Sequence, residues 1–156
     1  GRPWQYKFEM LREVLVTSLL GIVLSQTLVL GVNNLLVNSN TTYTVAVDRS
    51  ASVVTLPGDG SITFDFPTAS YSASQLNGVT CVPPCTVSGT TLKFNSSSFS
   101  GSPKSLSITV AGIANPPSTA TPGDYTYKLL SSAAATLESA ATRIAGFSAG
   151  QFKGKI

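Results

Sequence analysis

Two stretches with period-two alternation, 105–110 and 125–130, constrain the fold of this chain more than any other feature. In the first, every second residue is leucine, isoleucine or valine, and in the second every second residue is tyrosine or leucine. Successive side chains of a β-strand point to opposite faces, so such alternation is typical of half-buried strands. Prolines at positions 116, 117 and 122 lie between the two stretches and provide no backbone N–H. Two strands joined by a stiff polar connection are therefore predicted here.

Five shorter stretches repeat this pattern and predict further strands. Turn signals separate them about every ten residues, and no amphipathic helix intervenes, which favours antiparallel over parallel pairing. The stretches are 41–48, 61–66, 79–81, 85–87 and 91–94. We therefore predict an all-β fold, an antiparallel immunoglobulin-like (Greek-key) β-sandwich with an apolar N-terminal extension and a short C-terminal tail.

The pattern divides the chain into three parts. Residues 1–37 are predicted to be an apolar N-terminal assembly segment, residues 38–131 the β-sandwich domain, and residues 132–156 a C-terminal tail or edge strand. Within the last part, the alanine-rich stretch 131–145 is also compatible with a helix. The glycine-spaced stretch 146–156 favours an extended tail or a last edge strand.

Composition excludes several kinds of active site. The chain has no histidine, so triads that use histidine and imidazole metal sites are impossible. Its seven carboxylates form no tight acidic motif, and the G-x-S-x-G match at 146–150 has no histidine to activate its serine. We therefore predict no catalytic residue, no cofactor, no metal site and no enzymatic activity.

The charge pattern gives no sign of a nucleic-acid partner. Ten basic residues are scattered without a run, and charged residues make up only 11% of the chain, against about a quarter in an average soluble domain. Serine, threonine and glycine supply the polarity instead. Such a surface favours an extracellular or cell-surface location.

The segment 14–37 is almost continuously apolar and has three interpretations. It contains the h-region of a signal peptide if Met10 is the start and cleavage follows the sequence Val23-Leu24-Ser25. A membrane anchor is less favoured, because the segment is barely long enough and is interrupted by polar residues. The favoured interpretation is an ordered strand or helix that packs against a second copy of the chain. The candidate assembly residues are Val14, Val16, Leu20, Ile22, Leu24, Leu28 and Leu30.

The two cysteines, Cys81 and Cys85, stand in the sequence CVPPC. A disulfide between them would fix the shape of a tight hairpin, with a modest effect on stability because the closed loop is so short. A zinc site would lack two ligands, and the spacing differs from the CxxC of redox pairs. We therefore predict a disulfide in a secreted protein.

Two N-glycosylation acceptor motifs fall in predicted loops or strand ends. They begin at Asn40 (Asn-Thr-Thr) and Asn95 (Asn-Ser-Ser). Chance matches are common in a chain so rich in serine and threonine, so accessibility of the two side chains is a first requirement. Glycans attached at these positions are predicted.

Residues 31–130 resemble the repeated module of large extracellular surface proteins of ciliates and other protists. The resemblance lies in the sequences NTTYTV at 40–45, GSITFDFP at 60–67, GVTC at 78–81 and CTVSG at 85–89, and is strongest in SITVAGIANPPST at 107–119. It implies an immunoglobulin-like, glycosylated structural module without enzymatic activity. This chain differs in being a single module with a long apolar segment before it.

These observations lead to a ranked set of functional hypotheses. The first is a structural subunit of an extracellular glycosylated fibril or coat, in which the apolar segment of one copy completes another copy in a donor-strand-like manner. The second is a pilin- or flagellin-like filament subunit with a helical N-terminal segment. The third is a monomeric secreted adhesin or carbohydrate-binding module whose N-terminal segment is a signal peptide.

Overall fold

The computed structural model describes residues 26–150 of the 156-residue chain, and these residues form nine β-strands. Two short 3-10 helices, Ala73–Leu76 and Ser96–Phe99, lie in the connections. The strands are β1 (Thr27–Val32), β2 (Asn40–Asp48), β3 (Ser61–Asp65), β4 (Thr80–Val82), β5 (Thr86–Ser88), β6 (Thr91–Asn95), β7 (Ser105–Ala114), β8 (Tyr125–Leu130) and β9 (Thr136–Thr142).

The strands form two sheets in which every pair of neighbours is antiparallel. Sheet 1 has the order β1-β2-β7-β4, and sheet 2 has the order β5-β6-β3-β8-β9. Side chains from both sheets share one hydrophobic core. The prediction of an all-β antiparallel sandwich is confirmed, while its immunoglobulin-like Greek-key detail stays a prediction.

Alternation along the strands builds the core, as the sequence pattern predicted. The alternate apolar residues of β7 and β8 are buried, namely Leu106, Ile108, Val110, Ile113, Tyr125, Tyr127 and Leu129, and the other residues of both strands are partly buried or exposed. Phe66, just after β3, lies at the centre of an aromatic cluster and contacts the rings of four neighbours. These neighbours are Tyr43, Phe64, Tyr71 and Tyr125. The cluster joins side chains of both sheets.

The sandwich begins earlier in the chain than the predicted boundary at residue 38. Strand β1 lies within the range that we assigned to a separate assembly segment, and it pairs along its whole length with β2. This register places Leu28 opposite Val47 and Leu30 opposite Val45, so both leucines turn toward the core. Leu28 is therefore a core residue of its own chain, which corrects its assignment as an assembly residue, while Leu30 packs against the core and stays partly buried.

The C-terminal part also adds to the sandwich. Residues 136–142 form β9, an edge strand of sheet 2, where the alanine-rich composition was also compatible with a helix. After it, Phe147 is buried in the core, and Ser148 makes a single parallel bridge with Leu36. Tertiary contacts decide this segment, because its own sequence has little periodic apolar surface.

The two sides of the sandwich end differently. We call the side that carries the edge strands β4 and β5 the closed side, because the disulfide between Cys81 and Cys85 joins these two strands there. We call the side that carries the edge strands β1 and β9 the open side. Strands β1 and β9 belong to different sheets and lie next to each other.

The core position of β1 predicts different effects for two neighbouring substitutions. Leu28→Ala should lower the free energy of unfolding by about 2–3 kcal/mol, because it removes a buried side chain and leaves a cavity. Val29→Ala should have little effect, because Val29 is 58% exposed. Urea unfolding followed by far-ultraviolet circular dichroism measures both. Equal effects of the two substitutions would contradict the placement of β1 in the core.

Candidate assembly and modification sites

Cys81 and Cys85 form the predicted disulfide. Their sulfur atoms are 2.01 Å apart, and Cys81 is buried at the margin of the core. Cys81 lies in β4 of sheet 1, and Cys85 directly precedes β5 of sheet 2. The bond thus ties the edges of both sheets together, which the sequence alone did not indicate. A disulfide is typical of proteins from oxidising compartments.

Both predicted glycan acceptors are accessible. Asn40 is the first residue of β2 and Asn95 the last residue of β6, and both are exposed. Asn95 lies beside a shallow surface depression whose lining also includes Lys93 and Thr86. The required exposure of the two side chains is therefore met, and glycosylation itself stays a prediction.

The candidate assembly residues fall into two groups. Leu28 and Leu30 lie in β1 and contribute to the core, as described above. The other five lie outside the described residues: Val14, Val16, Leu20, Ile22 and Leu24. These five remain the candidates for contact with another molecule, and they precede an edge strand on the open side.

A buried ion pair between Arg49 and Glu138 connects the two sheets near the open side. Arg49 follows β2, and its Nε donates to the carboxylate of Glu138 in β9, with both side chains almost fully buried. Arg49 also donates to the carbonyl oxygens of Val54, at 2.8 Å, and Pro103. The carboxylate also accepts hydrogen bonds from Arg49 Nη2 at 3.5 Å, Ser52 Oγ at 2.7 Å and Tyr127 Oη at 2.8 Å.

Sequence analysis missed this ion pair, because the local pattern of β9 points the other way. From polarity alone, the side chain of Leu137 is expected in the core and that of Glu138 in solvent. In the structure, Leu137 is 39% exposed and Glu138 is buried. Only the position of Arg49, 89 residues away in sequence, makes burial of the carboxylate favourable. One signal was present: Glu138 is the only acidic residue in the stretch 131–145.

The hydrogen bonds decide the protonation of this cluster. Burial raises the pKa of Glu138, but the donors Arg49, Ser52 and Tyr127 together with the charge of Arg49 outweigh it, so the pKa is held below its usual value. Burial and the neighbouring carboxylate raise the pKa of Tyr127. Near neutral pH the carboxylate is therefore ionised and the phenol remains a hydrogen-bond donor.

A second buried network is a chain of three tyrosine hydroxyls. Tyr43 donates to Asn115 Oδ1 at 2.6 Å, so its oxygen accepts from Tyr71 at 2.7 Å, and Tyr71 in turn accepts from Tyr125. Asn115 Nδ2 donates to the carbonyl oxygens of residues 34 and 36, at 2.7 and 2.8 Å. This chain links β8, the loop after β3, β2 and the β1–β2 connection.

Burial raises the pKa of Tyr43 to about 12, against the lowering effect of its hydrogen bond to Tyr71. Burial also raises the pKa of Tyr71 and of Tyr125. All three phenols are therefore protonated at physiological pH. A sequence signal did exist, because tyrosines at inward strand positions need partners for their hydroxyls.

The surface of residues 26–150 carries few features typical of a metal or small-molecule site. A depression of about 380 Å³ is lined by Val87, Gly89 and residues of the stretch 73–78, none of them charged. In this part of the chain, no cluster of three or more histidine, cysteine, aspartate or glutamate side chains could hold a metal ion. The same residues include no helix long and apolar enough to cross a membrane.

Comparison with known proteins identifies no family for this chain. No family model matches it, and no curated protein matches it either. A solved structure of BslA, described as a bacterial hydrophobin, is similar to it with a TM-score of 0.46 and 14% sequence identity. The similarity covers 78% of this chain and 98% of that chain. It is too low for any property of BslA to be transferred to this chain.

The ion pair predicts a specific dependence of stability on pH. Because the pKa of Glu138 is lowered in the folded state, its stabilising effect is present above the unfolded-state value and is lost as pH falls through the folded-state value. Glu138→Gln should destabilise the protein at pH 7 by about 3 kcal/mol or more, because Arg49 remains buried without a counter-charge. The free energy of unfolding of the Glu138→Gln variant should also fall less steeply below pH 4.5, the usual pKa of the carboxyl group, than that of the unchanged protein.

Asp124→Asn is the matched control for this prediction. Asp124 forms an ion pair with Arg143 in which both side chains are more than half exposed. Solvent screening makes such pairs weak, so stability should change little at pH 7. Urea unfolding at pH 3 to 7 measures both variants. A similar loss of unfolding free energy in both variants would show that the buried Arg49–Glu138 pair stabilises the fold no more than the exposed Asp124–Arg143 pair does.

The exposed acceptor motifs predict a measurable increase in mass. Protein isolated from its own source should carry added sugar on Asn40 and Asn95, and Asn40→Gln and Asn95→Gln should each remove one glycan. Intact-mass spectrometry before and after treatment with a peptide N-glycosidase gives the result. Asn77→Gln, outside any acceptor motif, is the control. An unmodified mass for material from a eukaryotic source would exclude glycosylation.

Proposed function

We propose that this chain is a non-enzymatic structural subunit of an extracellular, glycosylated fibril or surface coat. In this proposal, the subunits assemble through the apolar segment 14–24, which adds to a neighbouring copy in a donor-strand-like manner. The observation that carries the proposal is that residues 28–147 already supply a hydrophobic core whose central side chains are fully buried. The apolar residues of segment 14–24 are therefore additional to it.

The size of the hydrophobic effect supports assembly. Full burial of a large apolar side chain contributes about 1.5–3 kcal/mol, so the five candidate side chains together contribute about 8–15 kcal/mol. This is comparable to the total stability of a typical domain, about 5–15 kcal/mol. Such a segment has a strong tendency to find an apolar partner. The five residues are Val14, Val16, Leu20, Ile22 and Leu24.

Three features support an extracellular location. The disulfide between Cys81 and Cys85 suits an oxidising compartment. The side chains of Asn40 and Asn95 are accessible to glycosylation. The low content of charged residues, 11%, suits a surface hydrated by hydroxyl groups and glycans.

Substitutions within the segment test the proposal. The double variant Leu20→Lys/Ile22→Lys of the full chain should lose assembly, because two lysines cannot be buried without large desolvation costs. The matched control Thr17→Lys/Gly21→Lys adds the same charge to the same segment at odd-numbered positions, which a strand presents on the face opposite to that of Leu20 and Ile22. Sedimentation velocity and electron microscopy compare both with the unchanged chain. We expect polymers for the unchanged chain and the control, and monomers for the double variant.

Two results would overturn the proposal. One is a full-length chain, with residues 14–24 verified by mass, that stays monomeric without detergent. The other is normal polymerisation of the Leu20→Lys/Ile22→Lys variant. Native protein that lacks residues 14–24 would instead identify the segment as a signal peptide, and would favour the monomeric adhesin.

A further inference from the structure

The closed side of the sandwich carries several devices that prevent pairing with another strand. Its edge strands β4 and β5 have only three residues each, and Pro83 and Pro84 lie between them. The disulfide from Cys81 to Cys85 holds the two edges together. Short strands, prolines and a covered edge are the means by which proteins avoid pairing between molecules.

Within the described residues, the open side has no short edge strand, no edge proline and no disulfide, and its one irregularity is a register shift in β9 at Leu137. Its edge strands β1 and β9 have six and seven residues and contain no lysine, arginine or proline. Their one charged residue, Glu138, turns inward to Arg49. Val29 and Leu137 instead expose 58% and 39% of their surface there. Within residues 26–150, no strand pairs with the outer edge of β1 or of β9.

The backbone of β1 presents hydrogen-bonding groups outward. Asn33 N–H donates to the carbonyl of Thr42 at 3.1 Å, which places this pair among the hydrogen-bonded pairs of the β1–β2 ladder. Such pairs alternate along antiparallel strands, so the N–H and C=O groups of the even-numbered residues of β1 face away from β2. These residues are Leu28, Leu30 and Val32.

The core is also less completely covered on the open side. Several hydrophobic side chains of β1 and of the β9 region pack against the core but are only partly buried. They are Leu30, Val32, Ala140 and Ile144. An added strand on this side would therefore satisfy backbone groups and cover apolar side chains together.

We propose that the open side is the acceptor surface for residues 14–24 of a second copy of this chain. This inference rests on the proposed function and names the surface that the segment binds. Eleven extended residues span about 36 Å, against about 23 Å for the seven residues of β9, so the segment is long enough to pair with a whole edge. Its candidate assembly residues all occupy even-numbered positions, so a strand presents them on one face, toward the partly covered core.

The sequence before β1 favours a second copy over the chain's own segment. A return of residues 14–24 onto their own open side needs a tight reversal at Ser25 and Gln26, directly before Thr27. Two-residue hairpin turns prefer glycine, asparagine or aspartate at positive φ, and neither position has one. Binding from copy to copy joins two different surfaces, the segment and the open side, so the contact repeats and produces an open chain wherever the rotation between copies does not close a ring.

Matched lysine pairs on the two sides test the acceptor surface. Val29→Lys/Leu137→Lys places a charge on each edge strand of the open side. Val82→Lys/Val87→Lys makes the corresponding change on the closed side, where the two valines are 65% and 42% exposed. Measured by light scattering on the full chain, the critical concentration for assembly should rise at least tenfold for the open-side pair. The closed-side pair should leave it within twofold of the unchanged chain.

Amide hydrogen exchange locates the contact independently. Peptides that cover 27–32 and 136–142 should become protected as the concentration of the full chain rises through the assembly threshold, while peptides that cover 80–88 should not change. Protection that is already complete in the monomer would mean that the chain's own segment covers the open side, and would overturn the inference. Equal loss of assembly for both lysine pairs would do so as well.

The outcomes separate this inference from the proposed function. If Leu20→Lys/Ile22→Lys abolishes assembly while Val29→Lys/Leu137→Lys assembles normally, the segment drives assembly but binds elsewhere, and the acceptor assignment is wrong. If Leu20→Lys/Ile22→Lys also assembles normally, the proposed function itself is wrong. If both Leu20→Lys/Ile22→Lys and Val29→Lys/Leu137→Lys lose assembly while Val82→Lys/Val87→Lys assembles normally, the proposed function and the acceptor assignment are both supported.

Discussion

The structure depends on the requirement that two pleated sheets fill one core from facing sides. Each strand offers only alternate side chains to that core, so sheet 1 and sheet 2 must interleave their inward residues. The aromatic cluster around Phe66 shows how this is done, since Phe66 contacts Tyr43 from sheet 1 and Tyr125 from sheet 2. The three tyrosine hydroxyls are brought together by the same packing. Their hydrogen bonds satisfy the polar ends of rings that would otherwise lower stability when buried.

The edge strands create a second requirement. Each sheet ends in a strand with unpaired backbone groups, and unwanted pairing of these groups with other chains has to be prevented. On one side the chain meets it with short strands, prolines and the Cys81–Cys85 disulfide. On the other side, β1 and β9 are long, and their edges carry no outward charge within the described residues. This difference between the two sides favours the open side as the place where the subunit meets another molecule.

The buried ion pair contributes to the character of the open side. Arg49 holds the carboxylate of Glu138 inside, while a register shift against β8 leaves the neighbouring Leu137 without a partner in β8. Leu137 then lies outside, and β9 presents an apolar side chain where a charged one would discourage pairing. The burial of Glu138 and the exposure of Leu137 thus occur together at the register shift of β9.

The sequence by itself determined the features that depend on neighbouring residues. Alternation in β2, β3, β7 and β8 identified the strands and their inward residues, and the short spacing of Cys81 and Cys85 indicated their bond. What only the tertiary structure decided depends on partners far away in the chain. The pairing of β1 with β2 made Leu28 a core residue, and Arg49 made Glu138 a buried one, against the local pattern. Strand order has the same origin: which strands become edges, and which edges stay open, is set by contacts across the whole sandwich, and local periodicity carries no information about them.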